Sequence, residues 1–99
     1  MSERLIQADE VPENGVRLAL VSDGREVALF KVNGVIFALD NFCPHAGGPL
    51  NEGKVENGTI TCPWHAWTFD IPTGKCINMI SQDAPTIPVR IEEGWVIID

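Results

Sequence analysis

The chain has 99 residues, of which 44% are hydrophobic and 21% are charged, and its formal net charge is −7. This length allows one domain with a modest core, and the composition argues against disorder. Only 7 Lys and Arg residues stand against 14 acids, which argues against nucleic-acid binding, because that binding needs positive charge to displace counterions. The acidity suits either plain solubility or a basic partner surface.

Short alternating segments separated by turn residues run along the whole chain. In chain order, the pattern predicts strands at 5–8, 16–21, 26–32, 35–40, 55–56, 59–62, 67–70, 87–92 and 95–99. Turn signals separate four of the pairs, at Asp23-Gly24, Asn33-Gly34, Asn57-Gly58 and Glu93-Gly94. No stretch carries a convincing helical stripe. We therefore predict an all-β fold, a small antiparallel sandwich or barrel.

Two segments, 41–54 and 76–86, are long and show no regular pattern. Long irregular loops in a small domain tend to carry function. The first of these segments contains a cysteine and a histidine, so its length favours a binding role.

The three cysteines are an odd number, and two of them stand close to histidines. This usage favours metal binding in a reducing compartment over a disulfide framework. The first residues lack the apolar run of a signal peptide, and no stretch approaches the roughly 18 apolar residues of a membrane helix. We expect a cytoplasmic protein.

The candidate metal ligands are Cys43, His45, Cys62 and His65, spaced as Cys-x-His, sixteen residues, then Cys-x-x-His. A site for one zinc ion more often takes two cysteines from one loop and two histidines from the other. Mixed loops suit two irons bridged by sulfide, because each loop can send its Cys to one iron and its His to the other. A structural zinc site with the same four ligands remains an alternative.

This stretch resembles the signature of the Rieske family. Pro44, Pro63 and the following FDIPTGK segment also resemble small Rieske ferredoxins and nitrite-reductase small subunits. The resemblance covers essentially the whole chain, and it implies a single Rieske-type domain over residues 1–99 with a cluster-binding subdomain at about 41–76. A domain that keeps the fold without the cluster is a further alternative.

The cofactor implied by the resemblance is one 2Fe–2S cluster. Cys43 and Cys62 would bind its inner iron, while His45 and His65 would bind the outer iron, with their imidazole edges near the surface as the electron exit. Neutral imidazoles in place of thiolates reduce the negative charge on the cluster, which raises its potential above that of all-Cys ferredoxins.

Neighbouring positions distinguish this chain from respiratory Rieske proteins, which carry one more Cys in each loop, joined as a disulfide. The matching positions here are Gly48 and Trp64, so no such bridge exists. Respiratory members also place Ser and Tyr, whose hydroxyls donate to sulfur, where this chain has Trp67 and Phe69. Fewer donors predict a reduction potential of about −150 mV rather than near +300 mV.

Other residues support the cluster in this interpretation. Gly47 and Gly48 would let the backbone approach the cluster, although an ordinary turn has the same composition. Trp64 either faces a partner or packs against the fold. Pro85 stands where family members have a loop that covers the cluster, although a plain connector is an alternative. Cys76 is predicted to be a buried small hydrophobe and not a ligand.

The resemblance implies a one-electron carrier that is not an enzyme by itself. Its partners would be a flavoprotein reductase upstream and a multicomponent, aromatic-ring-hydroxylating oxygenase downstream. No Gly-rich dinucleotide motif is present, and neither nucleic acid nor a membrane is expected as a partner. One alternative is the small electron-transfer subunit of an assimilatory NAD(P)H nitrite reductase. An alternative of another class is a zinc-stabilised interaction module.

Overall fold

The computed structural model describes residues 2–43, 48–64, 66–78 and 82–99. Within these ranges, nine strands form three antiparallel sheets of three strands each, with the orders β1-β9-β8, β2-β3-β4 and β5-β6-β7. The predicted all-β antiparallel fold is confirmed. The strands are β1 (Glu3–Gln7), β2 (Val16–Leu20), β3 (Glu26–Val32), β4 (Val35–Asp40), β5 (Lys54–Glu56), β6 (Thr59–Thr61), β7 (Thr68–Asp70), β8 (Val89–Glu92) and β9 (Trp95–Ile98).

Helical structure in the described ranges is limited to two single-turn 3-10 helices, Ala8–Glu10 and Leu50–Glu52. Neither has the length or the apolar character needed to span a bilayer. The second helix lies inside segment 41–54, which the sequence alone shows only as irregular. The first begins where Gln7 and Glu10 cap each other, with the Gln7 N–H donating to Glu10 Oε2 at 3.0 Å. The first strand therefore ends at Gln7 and not at the predicted residue 8, while its start lies at Glu3, two residues before the predicted one, where Glu3 pairs with Ile98 of β9.

Strand β3 is the centre of the fold because both of its faces are buried. Val27 and Leu29 point into a core shared with the sheet of β1, β8 and β9. Ala28 and Phe30, which alternate with them, point into a second core that contains all three cysteines. The central sheet therefore separates a structural core from the core beneath the candidate site. That arrangement explains the continuous apolar run in β3, which a half-exposed strand would not need.

Three of the hairpin turns follow the predicted signals closely. Asn33-Gly34, Asn57-Gly58 and Glu93-Gly94 all have positive φ at both residues, as a type I′ turn requires. The turn at Asp23-Gly24 is different, since only the glycine has positive φ. Here the Asp23 carboxylate accepts the Arg25 N–H at 3.0 Å, and this hydrogen bond holds the pKa of Asp23 below its ordinary value.

The segment after residue 82 joins the small sheet β5-β6-β7 to the central sheet. Ala84 donates its N–H to the Gly74 carbonyl at 2.7 Å, and the next carbonyl, of Pro85, accepts the Asp40 N–H at 3.0 Å. A Cβ on Gly74 would lie 2.2 Å from the Ala84 carbonyl oxygen, so only glycine permits this approach. Ile87 then donates to Ala38, but regular pairing begins only at Val89, two residues later than predicted.

Candidate metal centre

Two loops of the same length carry the predicted ligands, and the same backbone hydrogen bond closes both. We call residues 43–48 loop 1 and residues 62–67 loop 2. In loop 1 the Cys43 N–H donates to the Gly48 carbonyl at 2.9 Å, and in loop 2 the Cys62 N–H donates to the Trp67 carbonyl at 2.7 Å. Each cysteine is therefore fixed at the first position of a closed six-residue loop, which holds its sulfur in a defined place.

The strands explain where the loops lie. Loop 1 leaves β4 and returns through a bridge between Phe42 and Pro49 into the 3-10 helix Leu50–Glu52. Loop 2 connects β6 to β7, whose end residues Thr61 and Thr68 are paired and share a hydroxyl–hydroxyl contact of 3.1 Å. Because Cys43 and Cys62 belong to one buried cluster, the fold brings the two loops together above it.

The two thiols are buried and adjacent. Cys43 is 2% exposed and Cys62 is 1% exposed. Burial raises the pKa of the Cys62 thiol, the Trp64 N–H that donates to it lowers this pKa, and the neighbouring Cys43 raises it again. Two adjacent buried sulfurs suit a soft metal, which binds cysteine in the deprotonated thiolate form. The positive charge of the metal would also relieve the repulsion between the two thiolates.

Gly48 and Trp64 hold the loops against each other without a covalent bond. A Cβ placed on Gly48 would lie 3.0 Å from Cys62 Sγ and 3.0 Å from two carbons of the Trp64 ring. All three cysteines are free. Trp64 is still 51% exposed, so it both packs on loop 1 and faces solvent. Gly48 therefore lies close to the sulfur of Cys62, one of the predicted ligands, and its approach to the cluster stays a prediction.

The predicted ligands His45 and His65, together with Gly47, lie outside the described residues. Among the described residues, no group of three or more His, Cys, Asp or Glu side chains is placed to hold a metal ion. The structure thus brings together the two predicted cysteine ligands, and the full set of four remains a prediction.

The residues predicted to surround the cluster lie close to the buried cysteines in the core. Phe69 is fully buried in the same cluster as the three cysteines, and Trp67 is partly buried against it. Phe69 has no hydroxyl and supplies no donor there. Pro85 is exposed, and its carbonyl accepts the N–H of Asp40, three residues before Cys43. Its role as a cover remains a prediction.

The third cysteine lies beside the small sheet, where it forms an isolated antiparallel bridge with Phe69 of β7. Cys76 is 8% exposed, as expected for a small buried hydrophobe, and its backbone N–H donates to Asp83 Oδ1 at 3.1 Å. Its thiol also lies 3.8 Å from Asn78 Oδ1, at the far limit of a sulfur hydrogen bond.

Two asparagines that the sequence did not single out hold the bases of the loops. Asn41 is fully buried, and its carboxamide donates to Asn51 Oδ1 at 2.9 Å and accepts the Asn51 N–H at 2.8 Å. Asn78 is exposed, yet its carboxamide donates to the Ala66 carbonyl and accepts the Thr68 N–H, both at 3.0 Å. No sequence signal separates either residue from an ordinary loop asparagine.

Adjacent buried thiols on two joined loops of an all-β domain are an arrangement that suits a metal-binding protein with thiolate ligands. The family model described as Rieske [2Fe-2S] domain matches residues 3–90. The chain is 39% identical to the ferredoxin component of a naphthalene 1,2-dioxygenase system from Pseudomonas aeruginosa, over 100% of this chain and 98% of that protein. The chain belongs to the Rieske family, and its cofactor is one 2Fe–2S cluster of the Rieske type.

Solved structures share this architecture. The ferredoxin of Sphingomonas yanoikuyae B1 has a TM-score of 0.92 and 34% identity, covering 100% of this chain and 98% of that chain. A chain of the complex of reduced oxygenase and oxidized ferredoxin in carbazole 1,9a-dioxygenase has a TM-score of 0.89, and the match covers 98% of this chain and 91% of that chain. A nitrite reductase NADPH small subunit has a TM-score of 0.84, and the match covers 99% of this chain and 97% of that chain. The last two are 21% identical and show the fold alone.

Proposed function

We propose that the chain is a one-electron carrier that passes electrons from a flavoprotein reductase to a ring-hydroxylating oxygenase. The adjacent buried thiols of Cys43 and Cys62 are the observation that carries this proposal. In the proposed site, Cys43 and Cys62 hold the inner iron, and His45 and His65 hold the outer iron. The cluster supplies reversible uptake of one electron when bound.

The protein's part is to hold, shield and present that centre. The core beneath the loops, with Phe69, Leu50 and Ile60 fully buried, excludes water from the thiol side. The loops lie on the side of the thiols that faces away from this core. Exposed apolar side chains occur in or next to them, at Phe42, Trp64 and Ile77.

Exposed apolar side chains next to a redox centre suit a partner that binds briefly and closely. The similarity to a dioxygenase ferredoxin component supports an oxygenase as that partner. The free cysteines support a reducing, cytoplasmic location as part of the same proposal.

The test is reconstitution with defined partners. The chain, purified without oxygen, is expected to be red-brown, to hold two irons and two sulfides, and to give an asymmetric, low-average-g electron paramagnetic resonance signal on reduction. Catalytic amounts of it should then support NADH-dependent turnover by the reductase and oxygenase components of a naphthalene dioxygenase system. A colourless protein that holds zinc would contradict the proposal and establish the interaction module instead.

The nitrite-reductase alternative shares the fold but has weaker sequence support, at 21% identity against 39% for the dioxygenase ferredoxin. The two roles differ in how the chain associates with its partner. A bound subunit copurifies with a large sirohaem protein, whereas a carrier exchanges rapidly between reductase and oxygenase. Stable copurification of that kind would overturn the carrier role and leave the cluster assignment intact.

A further inference from the structure

Loop 2 has a support outside the ligand positions, in the exposed side chain of Asn78. Its Nδ2 donates to the Ala66 carbonyl at 3.0 Å and lies 3.4 Å from Thr68 Oγ1, while its Oδ1 accepts the Thr68 N–H at 3.0 Å. The preceding residue, Ile77, donates its N–H to the Thr68 carbonyl at 2.9 Å. One carboxamide thus holds the backbone on both sides of Trp67.

Those two points control the closure of loop 2. The Trp67 carbonyl, which lies between them, accepts the Cys62 N–H that closes the loop. Ala66 directly follows the predicted ligand His65 and has a φ of 57°, a left-handed conformation that is unfavourable for any residue with a Cβ. The Asn78 donor satisfies the carbonyl of this strained residue and so keeps the loop in the closed form.

Only a carboxamide fits both tasks. Ala66 offers an acceptor and Thr68 a donor, so the side chain must donate from one branch and accept at the other. Aspartate has the same shape, but it would accept the Thr68 N–H and turn a carboxylate oxygen toward the Ala66 carbonyl. Since Asn78 is exposed, its truncation leaves no core cavity, and its effect should stay local.

We propose that Asn78 is a positioning residue for the cluster: it fixes the exit of loop 2 and thereby the placement of the ligands that this loop carries. The proposal rests on the proposed function in assigning the cluster to these loops. We expect it to be distinct from a role in global stability, because its hydrogen bonds at 3.0 Å reach only loop 2 and β7, and its contact with the Cys76 thiol is long, at 3.8 Å.

The test compares Asn78→Ala and Asn78→Asp with the matched control Asn57→Gly, all as holoproteins. Asn57 is an exposed asparagine at the far turn of the same sheet, where its φ of 51° suits glycine. Loss of a group that orients metal ligands typically weakens metal binding by about 10–100-fold. We therefore expect both Asn78 variants to release iron to a chelator about tenfold faster or more, with altered g-values of the reduced protein. The control should match the wild type.

Hydrogen–deuterium exchange measures the same effect without relying on the cluster signal. Peptides covering 62–68 should lose protection in both Asn78 variants, while peptides from β2–β4 keep theirs. Unchanged iron release, g-values and 62–68 protection would overturn the proposal, and so would a loss of protection that extends to β2–β4. If the wild type holds zinc, the proposed function fails, while exchange in 62–68 of the zinc-bound chain still decides whether Asn78 fixes the loop.

Discussion

Loop 1 and loop 2 have the same closing hydrogen bond but different anchors. Asn41, at the base of loop 1, is fully buried, and its side chain and backbone are hydrogen-bonded to Asn51 and Leu50 of the 3-10 helix and to Glu26 of β3. Asn78, beside loop 2, is exposed; its carboxamide is hydrogen-bonded to Ala66 and Thr68 and has one long contact with the Cys76 thiol. We therefore expect loop 1 to open only together with the main fold, and loop 2, whose anchor is exposed, to open more readily by local unfolding.

The difference between the two anchors has a consequence for the proposed metal centre. Each loop is proposed to give one thiolate and one imidazole, so each iron takes one ligand from each loop and depends on both anchors. Damage to the loop 1 anchor should destabilise the whole protein, and damage to the loop 2 anchor should disturb mainly the cluster. Substitutions at the cysteines and at the two asparagines separate these outcomes.

The largest effect is expected from removing either thiol. Cys43→Ser and Cys62→Ser should each abolish the 2Fe–2S cluster, because one remaining thiolate cannot hold the inner iron. Iron and sulfide analysis with the visible spectrum measures this. The control is Cys76→Ala, which removes a buried thiol at 8% exposure from the same core and should keep the cluster. Full cluster content in either serine variant would remove that cysteine from the ligand set.

The next effect is expected at the base of loop 1. Asn41→Ala should lower the free energy of unfolding of the holoprotein by about 2 kcal/mol, because it removes a fully buried carboxamide and leaves the partly buried Asn51 N–H without its acceptor. Urea unfolding followed by far-ultraviolet circular dichroism measures the change. Asn78→Ala should cost about 1 kcal/mol or less, since its bonds are exposed. Equal losses at the two asparagines would mean that the anchors do not differ.

A smaller effect is expected where the loops touch. Gly48→Ala should cost about 1–2 kcal/mol, because the new Cβ would lie 3.0 Å from Cys62 Sγ and from the Trp64 ring. The ring can be removed, so Gly48→Ala combined with Trp64→Ala should cost less than the sum of the single changes. A double-mutant cycle on urea unfolding should give a coupling of about 1 kcal/mol. Strict additivity would show that the loops are not held together at this point.

The smallest effect is on the reduction potential. The wild type is expected at about −150 mV, because Phe69 offers no donor to the buried sulfurs. Phe69→Tyr adds a hydroxyl in that core, and a bond about 1 kcal/mol stronger in the reduced state raises the potential by about 40 mV. A redox titration followed by circular dichroism measures it, with Trp95→Phe as the control in the distant hairpin. A wild-type potential above about +100 mV would contradict the predicted lack of donors.

Much of the secondary structure could be predicted from the sequence alone. Strand β4 has the predicted bounds, and β2 and β3 differ from prediction by no more than one residue, because Asn-Gly turns and alternating apolar residues are local signals. The predicted first strand and the start of β8 were wrong by about two residues. In both cases a tertiary contact accounts for the difference: Glu3 pairs with Ile98 at the start of β1, and the Ile87–Ala38 bond ties the residues before β8 to the central sheet.

The cysteine pair could also be predicted, because Cys and His at this spacing indicate metal binding from the sequence itself, before the fold is known. The positions of Asn41 and Asn78 could not. An asparagine near the end of a strand is common, and these two gain their roles only when their carboxamides meet backbone groups ten or twelve residues away. The sequence by itself thus determined the strands, the turns and the chemistry of Cys43 and Cys62. Only the tertiary structure decided how each loop is held, because hydrogen bonds between distant residues form only once the sheets have packed.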